Sequence, residues 1–284
     1  MRSNRDVVVN GVKLHVEMDG PAQAEDTLVL LHGFTGSAAS WDCYFDALGA
    51  TGLRVIALDM PGHGESDAPA DARRYTMEHC RADIIDALQT LGVRESEAIL
   101  LGYSMGGRIA LYAAFSGYFR ALILESASPG LEDESEREQR RQQDEALAER
   151  IERDGVEPFV AYWEQLPLFA SQQMLPIATR EMLRQQRLHN RAVGLANSLR
   201  GVGTGAQPAL HARLPELDLP VLLIAGERDE KFCAIARRMA WMLPRGQLEI
   251  VPEAGHAVHL EQPDIFDRLV HDFCRTYADH ALPN

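Results

Sequence analysis

Apolar and polar positions along the chain follow two periods, and their alternation predicts a layered fold. Runs that are apolar at almost every position fall at Thr27–Leu31, Leu53–Leu58, Ala98–Leu101, Ala121–Leu124, Pro220–Ala225 and Gln247–Val251. Such runs suit parallel strands buried on both faces. Between them Met77–Leu91, Met105–Phe115, Phe232–Leu243 and Pro263–Tyr277 read as crossover helices. That order predicts an α/β fold with a mostly parallel, doubly wound sheet. Near the start, Val7–Val9 and Val12–Glu17 flank Asn10-Gly11, a dipeptide suited to the positive φ angles of a type I′ turn, and predict a β-hairpin.

The alternation breaks from about Pro129 to Pro215. Glu132–Arg153 is dense in charge and reads as a solvated helix face. Phe159–Phe169 holds Phe159, Tyr162, Trp163 and Phe169, more apolar surface than a linker needs. The expectation is a helical cap of residues 129–215 inserted after the sixth strand, with the core formed by residues 1–128 and 216–284. The glycine-rich stretch 201–208 reads as a flexible return. It neither follows a strand nor opens a helix, so it is no phosphate-binding loop.

At 284 residues the chain suits one large domain with an insertion, or two small ones. A formal charge of −14 argues against nucleic acid and anionic membranes as partners, since both need a basic surface. Of 28 basic residues only Lys13 and Lys231 are lysines, so an arginine carries weight only where its position is also right. Cys43, Cys80, Cys233 and Cys274 lie far apart with no metal-ligand spacing, which suits free thiols in a reducing cytoplasm. No signal peptide and no membrane-spanning run is expected, and nothing in the sequence specifies an oligomeric state.

The chemistry concentrates in three loops that follow strands. Gly102-Tyr-Ser104-Met-Gly106 matches the G-x-S-x-G nucleophile elbow, between an apolar run and a helical pattern. A serine hydroxyl is a poor nucleophile or base at neutral pH, so it needs a histidine oriented by a carboxylate. Asp229 and His256 each follow a later strand, in the order Ser, Asp, His that such folds use. Glu125, Glu227 and Glu230 are the fallback acids. The backbone N–H groups of Met105 and Phe34 are the expected oxyanion hole. His32 and His63 read as loop architecture, and His259 as the start of the last helix. Tyr103 is either a pocket residue or core packing. No metal or other cofactor is implied.

The chain resembles the α/β-hydrolase superfamily and, within it, the 2-succinyl-6-hydroxy-2,4-cyclohexadiene-1-carboxylate synthases of menaquinone biosynthesis. The resemblance rests on Gly102-Tyr-Ser-Met-Gly-Gly-Arg108, Trp163-Glu-Gln-Leu-Pro-Leu-Phe169, Arg187-Leu-His-Asn190, the run from Gly194 to Pro208, and Gly226-Glu-Arg-Asp-Glu-Lys-Phe232. It implies a lyase in which the triad acts as a base and pyruvate leaves. It also implies a small anionic substrate with three carboxylates, bound by Arg108, by Arg140 (with Arg137 and Arg141 near enough to replace it) and by Arg187, with Trp163 as a pocket wall. Two rivals stand beside this: a serine hydrolase of an ester or carbon–carbon bond, and a binding protein that keeps the fold without activity.

Overall fold

The computed structural model describes residues 2–24, 26–49 and 52–277; the remaining positions assigned above to the core lie outside the described residues. Strands β1 (Ser3–Val9) and β2 (Val12–Asp19) form the hairpin, with Asn10 at φ 49° and Gly11 at φ 76° in its turn. β2 runs antiparallel to β4 (Arg54–Leu58), and every later pairing is parallel. These join β3 (Thr27–Leu31), β5 (Ala98–Tyr103), β6 (Ala121–Glu125), β7 (Val221–Gly226) and β8 (Gly246–Val251). The order is β1-β2-β4-β3-β5-β6-β7-β8. Strand order reverses at β3, whose neighbours are β4 and β5, so a crevice opens beyond their carboxyl ends.

Helices cover both faces, which is why the strand runs are apolar throughout. In β3, Val29 and Leu31 join the core under α2 (Met77–Thr90), α3 (Met105–Ala114) and α8 (Glu230–Met242). Leu28 and Leu30 face the opposite core, under α1 (Asp42–Gly49) and α10 (Pro263–Tyr277). Between β6 and β7 lie α4 (Glu134–Asp154), α5 (Val156–Trp163), α6 (Ile177–Leu188) and α7 (Ala192–Val202). They share a smaller apolar cluster that includes Ile151, Phe159, Val160 and Leu195. The charge-dense α4 buries only Asp144, Ala148 and Ile151.

Four readings need correction. β8 is the edge strand of the described sheet, and up to the buried Val251 its residues alternate between partly buried and exposed, because it has a described neighbour on one side only. His259 belongs to a separate short helix, α9 (Val258–Glu261), and not to α10. The stretch 201–208 is packed: Gly201 and Val202 finish α7, and Gly203, Gly205 and Gln207 are buried. A Cβ on Gly205 would lie 2.4 Å from the Arg141 nitrogen, so that glycine permits close backbone approach and not mobility. Finally, α1 escaped the sequence pattern, although Tyr44, Phe45 and Leu48 anchor it in the core.

Candidate active site

Ser104 lies between β5 and α3 at φ 51°, ψ −107°, a conformation costly for any residue with a side chain. Two bonds hold it there. Its N–H donates to the Glu125 carbonyl at 2.9 Å, and its carbonyl accepts from the Arg108 N–H at 3.0 Å. The flanking glycines have a steric reason. A Cβ on Gly102 would meet the Gly106 carbonyl oxygen at 2.3 Å, and one on Gly106 would meet the Leu31 oxygen at 2.4 Å. Strand and helix can close on the serine only without those side chains.

His256 follows β8 and is 1% exposed. Its Nε2 lies 3.0 Å from Ser104 Oγ, and its Nδ1 lies 2.6 Å from Asp229 Oδ2. In this arrangement the serine hydroxyl donates to Nε2 and the imidazole Nδ1–H donates to the carboxylate. The other oxygen of Asp229 caps α8, accepting from the Phe232 N–H at 3.2 Å. That cap fixes the carboxylate, and the Phe232 ring packs 4.6 Å from the imidazole. The fallback acids are engaged elsewhere. Glu125 binds His259, Glu227 accepts from the Glu253 N–H, and Glu230 is exposed on the first turn of α8.

Phe34 and Met105, whose backbone N–H groups are the expected oxyanion hole, both line the cavity that holds Ser104. Met105 is the first residue of α3, so its N–H has no partner within the helix. The Gly33 carbonyl accepts from His32 Nδ1 at 2.8 Å and from the Gly36 N–H at 3.0 Å. Because a trans peptide points its N–H opposite its carbonyl, these bonds orient the Phe34 N–H the other way. The Met60 N–H donates to His32 Nε2 at 3.1 Å, which requires the neutral ring. Burial pushes the His32 pKa down and favours that state. His63, packed 4.9 Å from it, is likewise driven well below its ordinary value by burial.

These groups open into a cavity of about 340 Å³ lined by Phe34, Tyr103, Ser104, Met105, Trp163 and His256. Asp229 lies behind His256 and does not line it. Among the described residues no aspartate or glutamate faces this cavity, whereas Arg108, Arg140, Arg187 and Lys231 all do. In a chain with 42 acidic residues the lining carries none of them, and the carboxylates that pair with Arg140 and Arg187 stand outside it. Arg108 donates to the Val202 carbonyl at 2.6 Å and to Gln207 Oε1 at 3.4 Å. Burial, and then the charge of Arg140, push its pKa down to about 10, which leaves it charged at neutral pH. Arg140 is held by Asp144 at 2.8 Å. Arg187 bridges Glu164 at 3.0 Å and Gln172 at 2.9 Å. Arg137 and Arg141 pair with Glu134, Arg141 also donates to the Gly205 carbonyl at 3.4 Å, and neither lines the cavity.

Tyr103 is wedged between rings, 5.5 Å from His256 and 4.6 Å from His259. Burial raises its hydroxyl pKa well above the ordinary value, so it remains a neutral donor. Sequence reasoning passed over Lys231. Its signal was available: one of two lysines, it lies two residues beyond Asp229.

Residues 26–263 match the family model of the alpha/beta hydrolase fold. A Bacillus subtilis (strain 168) protein, provisionally named 2-succinyl-6-hydroxy-2,4-cyclohexadiene-1-carboxylate synthase, is 48% identical over 94% of this chain and 96% of its own length. The Serratia proteamaculans (strain 568) protein of the same name is 35% identical over 87% of this chain and 92% of its own. The solved structure of MenH from S. aureus superposes with a TM-score of 0.87 at 36% identity, covering 92% of this chain and 98% of that one.

Proposed function

Because this chain belongs to the α/β-hydrolase fold family and, within it, to the 2-succinyl-6-hydroxy-2,4-cyclohexadiene-1-carboxylate synthases, we propose that it eliminates pyruvate from 2-succinyl-5-enolpyruvyl-6-hydroxy-3-cyclohexene-1-carboxylate. Ser104, His256 and Asp229 act as the base. His256 Nε2 takes the Ser104 proton, and Ser104 Oγ removes the proton from the carbon beside the succinyl ketone. The electron pair moves to the ketone oxygen, where the Phe34 and Met105 N–H groups stabilise the enolate. As the carbonyl re-forms, electrons pass through the ring and the carbon–oxygen bond to the enolpyruvyl group breaks. Pyruvate leaves as its enolate and takes the proton held on His256, which restores the starting enzyme.

The observation that carries this reading is the segregation of charge. The substrate bears three carboxylates, and the cavity offers Arg108, Arg140, Arg187 and Lys231 with no facing acid among the described residues. Guanidinium groups pair with carboxylates through two parallel hydrogen bonds, which orients as well as attracts. Trp163 supplies an apolar wall for the ring. The catalytic step needs no metal or other cofactor, and the cytoplasm is where four unpaired thiols persist. No helix among the described residues is long and apolar enough to cross a membrane. The test is pyruvate release by the purified chain without added cofactor: release at substrate-saturable rates supports the reading, and none from folded protein overturns it.

A further inference from the structure

A second carboxylate–histidine pair lies beside the first and takes no part in the steps above. Glu125 ends β6 with a fully buried side chain. Its carboxylate accepts from the His259 N–H at 3.0 Å, and His259 Nδ1 lies 2.9 Å from both carboxylate oxygens. The His259 ring packs 4.9 Å from Trp41, and its carbonyl accepts from the Tyr44 hydroxyl. Tyr103 packs edge-on against it at 4.6 Å, and Phe266 lies 5.9 Å away.

Glu125 joins two loops that the chemistry depends on. Its backbone carbonyl accepts from the Ser104 N–H at 2.9 Å, and it stands opposite Tyr103 in the sheet register. Its side chain holds the short helix that begins two residues after His256. One residue therefore grips the serine turn by its main chain and the histidine loop by its carboxylate. A buried carboxylate–imidazole pair costs more desolvation than an apolar pair of equal volume. The neighbouring ends of β6 and β7 show that apolar residues fit this layer, since Leu124, Ile224 and Ala225 are all buried.

We propose that Glu125 and His259 are positioning residues for proton transfer: the pair sets Tyr103 and the His256 loop against Ser104. The proposal rests on the pyruvate-eliminating reading for its substrate assay only. A misplacement of reacting groups by about 1 Å can cost on the order of a hundredfold in rate. Loss of this pair therefore acts on kcat more than on KM.

The experiment compares the full-length wild type with Glu125→Gln and His259→Asn. Asparagine keeps a donor near the Nδ1 position but removes the ring from Tyr103. Two rates are read: pyruvate release, and labelling of Ser104 by phenylmethanesulfonyl fluoride followed by mass spectrometry. Both variants should lower kcat at least about tenfold with KM within about threefold, and slow labelling by a similar factor. Folding is checked by circular dichroism, and either variant suffices if the other does not fold. Wild-type kcat and labelling in a folded variant would overturn the proposal, as would a loss confined to melting temperature. A wild type that labels normally yet releases no pyruvate, with labelling still slowed in the variants, sinks the substrate reading and upholds this one.

Discussion

Arg108 donates to the Val202 carbonyl at 2.6 Å, and this bond ties the helix that starts beside Ser104 to the end of α7 in the helical insertion. Arg108 also lines the cavity, so under the proposed function it is a strut and a binding group together. A charge-assisted hydrogen bond contributes roughly 1.5–3 kcal/mol. Arg108→Ala should lower kcat/KM at least about tenfold. It should also lower the melting temperature by a few degrees, because the Val202 carbonyl loses its partner. Arg108→Lys should restore part of both, since a point charge lacks the planar fork. Steady-state pyruvate release and thermal melts decide it; undiminished kcat/KM in the alanine variant, or full rescue by lysine, would contradict the assignment.

Three arginines compete on α4, and the structure separates them. Arg140 alone of Arg137, Arg140 and Arg141 faces the cavity. Arg140→Ala should raise KM several-fold, whereas Arg137→Ala and Arg141→Ala should leave kinetics near wild type, because neither lines the cavity. Equal effects from all three would mean that α4 contributes only a diffuse field.

Ser104→Ala should abolish pyruvate release while the fold survives, and His256→Ala should be comparably severe. Groups that act as one unit lose function together, so the double variant should be no worse than the single ones. Multiplying losses in steady-state assays would count against a shared proton path through the 3.0 Å contact between Oγ and Nε2.

His32 and His63 should make stability depend on pH. Burial pushes both below the ordinary value of 6.5, so the folded chain refuses protons that the unfolded chain accepts. Their contribution is therefore intact above that value and is lost as pH falls below it. Each refused proton steepens the fall by up to about 1.4 kcal/mol per pH unit. Urea unfolding between neutral and mildly acidic pH should show this loss, and His63→Asn should flatten it. An unchanged slope in that variant would show that His63 protonates equally in both states.

Much of the fold and of the site is legible in the sequence. Buried parallel strands produce unbroken apolar runs, and the elbow's glycines are dictated by contacts of 2.3 and 2.4 Å, so sheet and serine both leave a sequence signature. Asp229 and His256 were findable because each follows a strand. What stayed hidden depended on distant partners. β8 looked like its neighbours because its edge position is a property of the sheet. His259 carries no local mark of its pairing with Glu125, 134 residues away. The 201–208 stretch looked mobile because glycine serves both freedom and close approach, and only the Arg141 backbone distinguishes the two.

Elimination and hydrolysis differ in whether oxygen from water enters the product, and one isotope experiment reads that difference. The purified chain is given 2-succinyl-5-enolpyruvyl-6-hydroxy-3-cyclohexene-1-carboxylate in water enriched in heavy oxygen, and the ring product is weighed by mass spectrometry. The account predicts one pyruvate per substrate and a ring product lighter by the elements of pyruvic acid, with no heavy oxygen in its carboxylates. A product that carries heavy oxygen in a new carboxylate, formed at the same rate and lost in Ser104→Ala, would make the enzyme a hydrolase and contradict the account.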